Sequence, residues 1–160
     1  MTNPEVVEWL RTAEGVAMNP DRAHGLQCVD PIDQFAQDLT GVHWSESVGG
    51  VNGANELLDR VPDKFWIRID NDESNPQQLP VMGDWVVYGG DTINPYGHVA
   101  AVLAATKYGP KVLQQDGTFR TKPMHTAYLK WGQPGTGPIL GWLRLRDSVI
   151  RDTGAKNRIK

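Results

Sequence analysis

Cys28 is the only cysteine in the 160-residue chain, and it lies in the stretch GLQCVDP, just before a predicted helix. Unpaired backbone N–H groups and the positive end of the helix dipole stabilise a thiolate at such a position, and they can also bind an oxyanion. Because a thiolate is a strong nucleophile, this position suits attack on a carbonyl carbon. The alternative is that Cys28 is a small buried hydrophobic residue, the usual role of a cysteine outside a disulfide.

A nucleophilic thiol needs a general base, and His98 is the best placed of the four histidines. It opens an apolar strand, HVAAVLAAT, directly after a loop rich in Gly, Pro and Asn. The next predicted strand ends in VLQQDG. If the two strands pair as a hairpin, Gln114 and Asp116 lie near His98, because alternate residues of a strand share a face. Either side chain could orient the imidazole.

The elements that position these residues follow from the spacing of apolar side chains. This spacing predicts helices over 4–17 and 29–40, and a shorter helix over 54–61. From Phe65 onward, short segments rich in β-forming residues are separated by Gly, Pro, Asn and Asp, which predicts five or six strands. Helices followed by strands indicate an α+β fold, with N-terminal helices packed on an antiparallel sheet.

Aromatic residues in this second half suggest both core and groove positions. Trp85 and Trp142 lie in apolar strands, and we expect both to be buried. The loop 89–97 leads into His98 and is expected to form one wall of a groove. Tyr96, in that loop, either contacts substrate or packs against the protein.

Composition limits the class of protein. A length of 160 residues with 39% hydrophobic residues fits one domain, assigned to 1–150, with a polar tail or linker at 151–160. A net charge of −3 without a Lys/Arg cluster argues against a nucleic-acid partner. No apolar run approaches the roughly 20 residues of a membrane span, and residues 1–15 do not resemble a secretory signal. We therefore expect synthesis in the cytoplasm and no membrane partner, and we also expect a monomer.

Oxygen-bearing residues surround the cysteine in NPDRAHGLQCVD. Asn19 and Asp21 alternate on a predicted turn, and Asp30 adds a second carboxylate, a pattern that suits a hard cation such as Ca²⁺. The backbone carbonyls of Ala23 and Gly25 could complete the shell. The alternative is a metal-free turn that caps the helix, because Asn, Asp and Pro all favour turns. A bound calcium ion would stiffen the loop and take no part in the chemistry.

Four segments together resemble the CHAP family, the cysteine, histidine-dependent amidohydrolases/peptidases: GLQCVDPIDQFA, PVMGDWVVYGG, YGHVAAVL and VLQQDG. Family members have a Gln-Cys pair that opens a helix, a Gly-Asp-hydrophobic strand, a Gly-His pair that opens the next strand, and a Glu/Gln-x-Asn segment after it. The order and spacing of these segments, over about residues 19–145, make the resemblance specific. It implies a papain-like fold and cleavage of amide bonds in bacterial peptidoglycan.

Taken residue by residue, the resemblance implies that Cys28 is the nucleophile, that His98 is the base and that Gln27 helps to form the oxyanion hole. Many relatives have a carboxylate followed two residues later by Asn, where this chain has Gln114 and then Asp116. We prefer Asp116 as the residue that orients the histidine, because a carboxylate also stabilises imidazolium, and keep Gln114 as the alternative.

The calcium loop of some phage members of the family begins with Asp at the position of Asn19, so a site here would bind calcium more weakly. The resemblance predicts a peptidoglycan hydrolase, either an N-acetylmuramoyl-L-alanine amidase or an endopeptidase of the stem peptide or cross-bridge. The absence of a recognisable secretory signal favours a phage endolysin, which is released late, over a secreted autolysin.

Two other functions remain open. A non-catalytic wall-binding module on the same fold would be expected to lack the nucleophile or the base, and both are present here. Another papain-like thiol enzyme, such as a transglutaminase or deamidase, would use the same residues on a different amide. The sequence does not indicate which bond is cut.

Overall fold

Helices come first along the chain, and strands follow from Trp66 onward. The computed structural model describes residues 2–23, 25, 27–116, 122–129, 131 and 137–158, without the side chain of Asp116. The α-helices are α1 (Pro4–Ala13), α2 (Asp30–Thr40), α3 (Trp44–Ser47), α4 (Leu57–Arg60) and α5 (Ala155–Arg158), with 3₁₀ turns at Ala54–Glu56 and Asp147–Val149. The strands are β1 (Trp66–Asp70), β2 (Trp85–Tyr88), β3 (His98–Thr106), β4 (Gly109–Asp116), β5 (Lys122–Tyr128) and β6 (Ile139–Leu145).

The six strands form one sheet in the order β1-β6-β2-β3-β4-β5. Every neighbouring pair is antiparallel. This arrangement confirms the predicted α+β fold with an antiparallel sheet. Among the described residues, no helix has the length and apolar character needed to cross a bilayer.

The core lies on both faces of the sheet, because side chains of a strand alternate between faces. On the helix-covered face, the ring of Phe35 from α2 packs edge-on against Trp9 at 5.1 Å and Trp85 at 5.2 Å between centroids. On the other face, Tyr88 and Trp142 belong to a second apolar cluster. Trp85 and Trp142 are both buried, as predicted.

Helix α2 carries the residues that follow the cysteine, and its ends match the sequence signals. Pro31 lies within the first turn, where its missing N–H removes no helical hydrogen bond. Gly41 ends the helix in the left-handed region, at φ 73°, and its N–H donates to the carbonyl of Gln37. The helix predicted over 29–40 is therefore present, with a start that differs by one residue.

Helix α1 ends earlier than the predicted 4–17, because the chain turns at Gly15, with φ 82°. The N–H of Gly15 then donates to the carbonyl of Met124, and the N–H of Met124 donates to the carbonyl of Val16. The chain after α1 therefore pairs with β5 instead of extending the helix.

Residues 151–158, predicted to be a polar tail, pack against the start of the chain. The carboxylate of Glu5 accepts hydrogen bonds from the N–H groups of Thr153 and Ala155 and from the Thr153 hydroxyl. Ala155 is fully buried. This segment is therefore held by hydrogen bonds to a buried carboxylate, a contact that local sequence does not reveal.

Candidate active site

Cys28 and His98 line the same groove, which has a volume of about 940 Å³. Its walls come from the start of α2, from residues 49–54 and from residues 93–97. The prediction that loop 89–97 forms a groove wall is thus confirmed for its second half. Tyr96 lines the groove and is 63% exposed, so its ring is available for contact with a ligand.

His98 starts β3 and is hydrogen-bonded to β4. Its Nε2 atom lies 2.7 Å from Oε1 of Gln114. An amide oxygen accepts hydrogen bonds, so this contact suits an imidazole that has a proton on Nε2. Asp116, preferred for this role in the sequence analysis, ends β4, and its side chain lies outside the described residues.

Gln115, which follows Gln114 in β4, points to the opposite face of the strand and is fully buried. Its Oε1 accepts a hydrogen bond of 2.9 Å from the Met18 N–H. Its Nε2 donates to the carbonyls of Met18, at 2.7 Å, and Gln27, at 2.9 Å. Gln115 therefore ties the segment before Cys28 to the sheet.

Sequence reasoning missed this role. The available signal was the position of Gln115 two residues after Leu113. This spacing places it on the core-facing side of an apolar strand.

Cys28 is held in a closed turn that immediately precedes α2. The N–H of Gln27 donates to Oδ2 of Asp30 at 2.8 Å, and the N–H of Asp30 donates back to the carbonyl of Gln27 at 3.2 Å. Cys28 itself is half-buried and packs against the main core. The thiol is thus fixed at the start of the helix, in the groove that also contains Gln27.

Three carboxylates lie beside this turn: Asp21, Asp30 and Asp33. Asp30 is fully buried, and burial, with a smaller contribution from Asp21, raises its pKa to about 7. Burial raises the pKa of Asp33 to about 8, with further contributions from Asp30 and Asp21. In both cases the carboxylate is taken out of water next to other negative charges. This part of the groove therefore favours a bound positive charge.

The predicted calcium ligands lie on this same turn. Asp21 Oδ1 accepts a hydrogen bond of 2.9 Å from the Ala23 N–H, and Gly25 has a left-handed backbone, at φ 71°. Oδ1 of Asn19 and Oδ1 of Asp30 are buried and accept no hydrogen bond within the described part of the chain. Buried oxygens of this kind normally have a partner.

In the described ranges, no group of three or more His, Cys, Asp or Glu side chains has the arrangement of a metal site. The candidate set differs from such a group because it includes an amide oxygen and two backbone carbonyls. His24 and Leu26, within the same loop, lie outside the described residues.

The fold is shared with solved structures of low sequence identity. The crystal structure of the wild-type endolysin LysIME-EF1 matches with a TM-score of 0.69 and 17% identity, over 90% of this chain and 64% of that chain. The crystal structure of Ly7917 with the hydrolyzing product of MDP matches with a TM-score of 0.61 and 15% identity, over 90% and 63%. A second crystal structure of Ly7917 gives a TM-score of 0.59 and 16% identity, again over 90% and 63%.

At these identities the likeness establishes the fold alone, and this chain spans slightly less than two thirds of the length of the structures it matches. No model of a known protein family matches the sequence.

Proposed function

We propose that this protein is a peptidoglycan hydrolase that cleaves an amide bond with Cys28 as the nucleophile. The observation that carries the proposal is the placement of Cys28 at a helix start, in one groove with a histidine whose Nε2 lies 2.7 Å from Gln114 Oε1. The fold shared with the endolysin LysIME-EF1 supports the bacterial cell wall as the substrate and lysis of a phage host as the role.

The hydrogen bond from His98 to Gln114 supports the assignment of the base. With the proton held on Nε2, the lone pair on Nδ1 accepts the proton of the Cys28 thiol. The resulting thiolate is stabilised by the dipole of α2 and by the imidazolium. Gln114 keeps the ring in the orientation that this transfer requires, the role that the third group has in such sites.

The reaction then follows the two steps of covalent catalysis. The thiolate attacks the carbonyl carbon of the amide, and the oxyanion is bound by the Cys28 N–H and the Gln27 side chain. The amine leaves with the proton from His98, and a thioester to Cys28 remains. Water, deprotonated by His98, hydrolyses the thioester, which releases a carboxylate and restores the thiol. The bond cut is either the muramoyl–alanine amide or a peptide bond of the stem or cross-bridge.

We also propose that a calcium ion binds the turn before Cys28. The buried Oδ1 atoms of Asn19 and Asp30 lack hydrogen-bond donors in the described residues, and oxygen ligands of this kind are those that Ca²⁺ prefers. Asp21 and the carbonyls of Ala23 and Gly25 would complete the ligand set. The ion would neutralise buried carboxylates and stiffen the turn that holds the cysteine, and it would not contact the scissile amide.

Isolated peptidoglycan from several wall types, incubated with wild-type protein and with Cys28→Ala, tests the proposal. Turbidity should fall only with wild type, and mass spectrometry of the products should show new amines and identify the bond. Chelation should slow the reaction, and added calcium should restore it. If no wall type is cleaved, or if Cys28→Ala is as active as wild type, the proposed function is wrong.

A further inference from the structure

Asp33 is a buried carboxylate in the groove that the proposed mechanism does not use. It lies on α2, one turn after Asp30, and is 6% exposed. It lines the groove together with Cys28 and His98. Within the described part of the chain, no hydrogen bond or ion pair reaches its carboxylate. A carboxylate that lines a groove without a partner from the described protein is placed to accept hydrogen bonds from a ligand that arrives there.

The electrostatic surroundings of Asp33 specify the charge of that ligand. Burial and the neighbouring carboxylates of Asp30 and Asp21 raise the pKa of Asp33 to about 8. No Lys or Arg side chain in the described ranges forms an ion pair with these three acids. A positive group in the groove would therefore be attracted by Asp21 and Asp33, which line it, with Asp30 close behind them.

Asp33 lies outside the proposed calcium ligand set and lines the groove, so a single ammonium group bound there could contact its carboxylate.

We propose that Asp33 is a specificity-determining residue, whose carboxylate binds a primary ammonium group on the peptide part of the peptidoglycan substrate. The inference rests on the proposed function, since it concerns the same groove. Peptidoglycan peptides carry primary amines on diamino-acid side chains and on free N-termini, and both have the same chemistry. Gly49 and Gly50 leave open space beside the groove, since a Cβ at either position would meet no atom within 4 Å.

Binding to Cys28→Ala protein separates this inference from catalysis. Calorimetry would compare three synthetic stem peptides in calcium buffer: unmodified, acetylated at the side-chain amine and acetylated at the N-terminal amine. We expect acetylation of one of the two amines to weaken binding about 10- to 100-fold, which identifies the recognised group. Asp33→Asn in the same background should abolish that preference and leave the binding of the acetylated peptide unchanged.

Two further variants control for general effects of charge and metal binding. Glu46→Gln removes an exposed carboxylate from α3 and should keep the preference of the parent protein. Asp21→Asn should weaken calcium binding, measured by titration with the ion alone, while the preference for the amine remains at saturating calcium. Thermal melts would show that each variant is folded.

The inference is wrong if the parent protein binds all three peptides equally or binds none, or if Asp33→Asn keeps the preference. It is also wrong if Asp33→Asn weakens calcium binding without changing the preference, because Asp33 would then be a metal ligand. Wild-type hydrolysis of peptidoglycan would still support the proposed function in each of these cases. A lack of hydrolysis, with the amine preference intact, would overturn only the proposed function.

Discussion

Gln114 Oε1 lies 2.7 Å from Nε2 of His98, so an amide is the described partner of the imidazole. An amide fixes the orientation and tautomer of the ring without adding a charge. In the proposed mechanism, such a partner suits a histidine that starts neutral and becomes positive when it accepts the thiol proton.

Replacement of Gln114 should distinguish two effects on His98: the orientation of its ring and the charge of its hydrogen-bond partner. We expect Gln114→Leu to lower kcat about 10- to 100-fold, because the ring loses the acceptor that holds its tautomer. Gln114→Glu should keep most of the activity and raise the pH at which the acidic limb of kcat/KM begins, since a carboxylate favours imidazolium. Steady-state kinetics across pH 5–9 would measure both effects, and a fully active Gln114→Leu would contradict the assignment.

The groove beside Gly50 should be sensitive to added volume. A Cβ at Gly50 meets no atom within 4 Å, and its φ lies outside the left-handed region, so the fold should accept a larger side chain. We expect Gly50→Leu to lower kcat/KM about tenfold or more by filling the groove, with Gly50→Ala intermediate. Unchanged melting temperatures would show that the lower kcat/KM comes from blocked access of the substrate to the groove. Equal activity of wild type and both variants would show that the substrate does not bind beside Gly50.

Gln115 should matter for stability more than Gln114 does. Gln115→Leu leaves the buried N–H and carbonyl of Met18 without their partner, and it leaves the Gln27 carbonyl with the Asp30 N–H alone among the described donors. We expect a loss of about 2–4 kcal/mol in the free energy of unfolding, measured in urea. Gln114→Leu is the matched control, because it makes the same substitution at the adjacent position, which is on the opposite face of β4 and only half-buried. A smaller loss for Gln115→Leu than for this control would contradict the prediction.

Asp84 and Arg144 form an ion pair whose acid is buried. Both Oδ atoms of Asp84 lie 2.8 Å from guanidinium nitrogens of Arg144, and Asp84 is 1% exposed. Arg144→Ala leaves this carboxylate buried with the Val81 N–H as its hydrogen-bond partner among the described residues, and we expect a loss of about 3 kcal/mol in the free energy of unfolding. The double variant Asp84→Asn with Arg144→Ala should recover part of that loss in urea denaturation. No recovery would show that the pair acts through packing.

Asp33 should make stability fall as pH rises when calcium is absent. Its pKa rises from an ordinary value of 3.8 to about 8 on folding, so the folded state holds more protons than the unfolded state between about pH 4 and pH 8. Its contribution to stability is full below pH 4 and is lost as pH rises through 8. In chelator, Asp33→Asn should therefore show a shallower decline than wild type over this range, measured by urea denaturation at each pH. Parallel curves would contradict the prediction.

The sequence predicted those parts of the site that depend on local pattern. A cysteine before a helix and a histidine that opens an apolar strand were both visible, and the structure brings them to one groove. The sequence left open whether Gln114 or Asp116 orients the histidine. The structure places Gln114 at His98, and the side chain of Asp116 lies outside the described residues.

The role of Gln115 was missed because two adjacent glutamines look equivalent until the strand assigns one to each face of the sheet. The packing of 151–158 depends on a contact between Glu5 and Thr153 that spans 148 positions, which helical and strand periodicities do not encode.

The contact of Glu5 with Thr153 and Ala155 would allow a circular permutation of the chain. It places the first and last described helices side by side, so a short peptide could join the two ends without crossing the groove. New ends could then be opened in the exposed loop 72–77, between β1 and β2. A circular permutant of this design would retain the turn at Cys28 and the strand start at His98, with both ends moved away from Glu5.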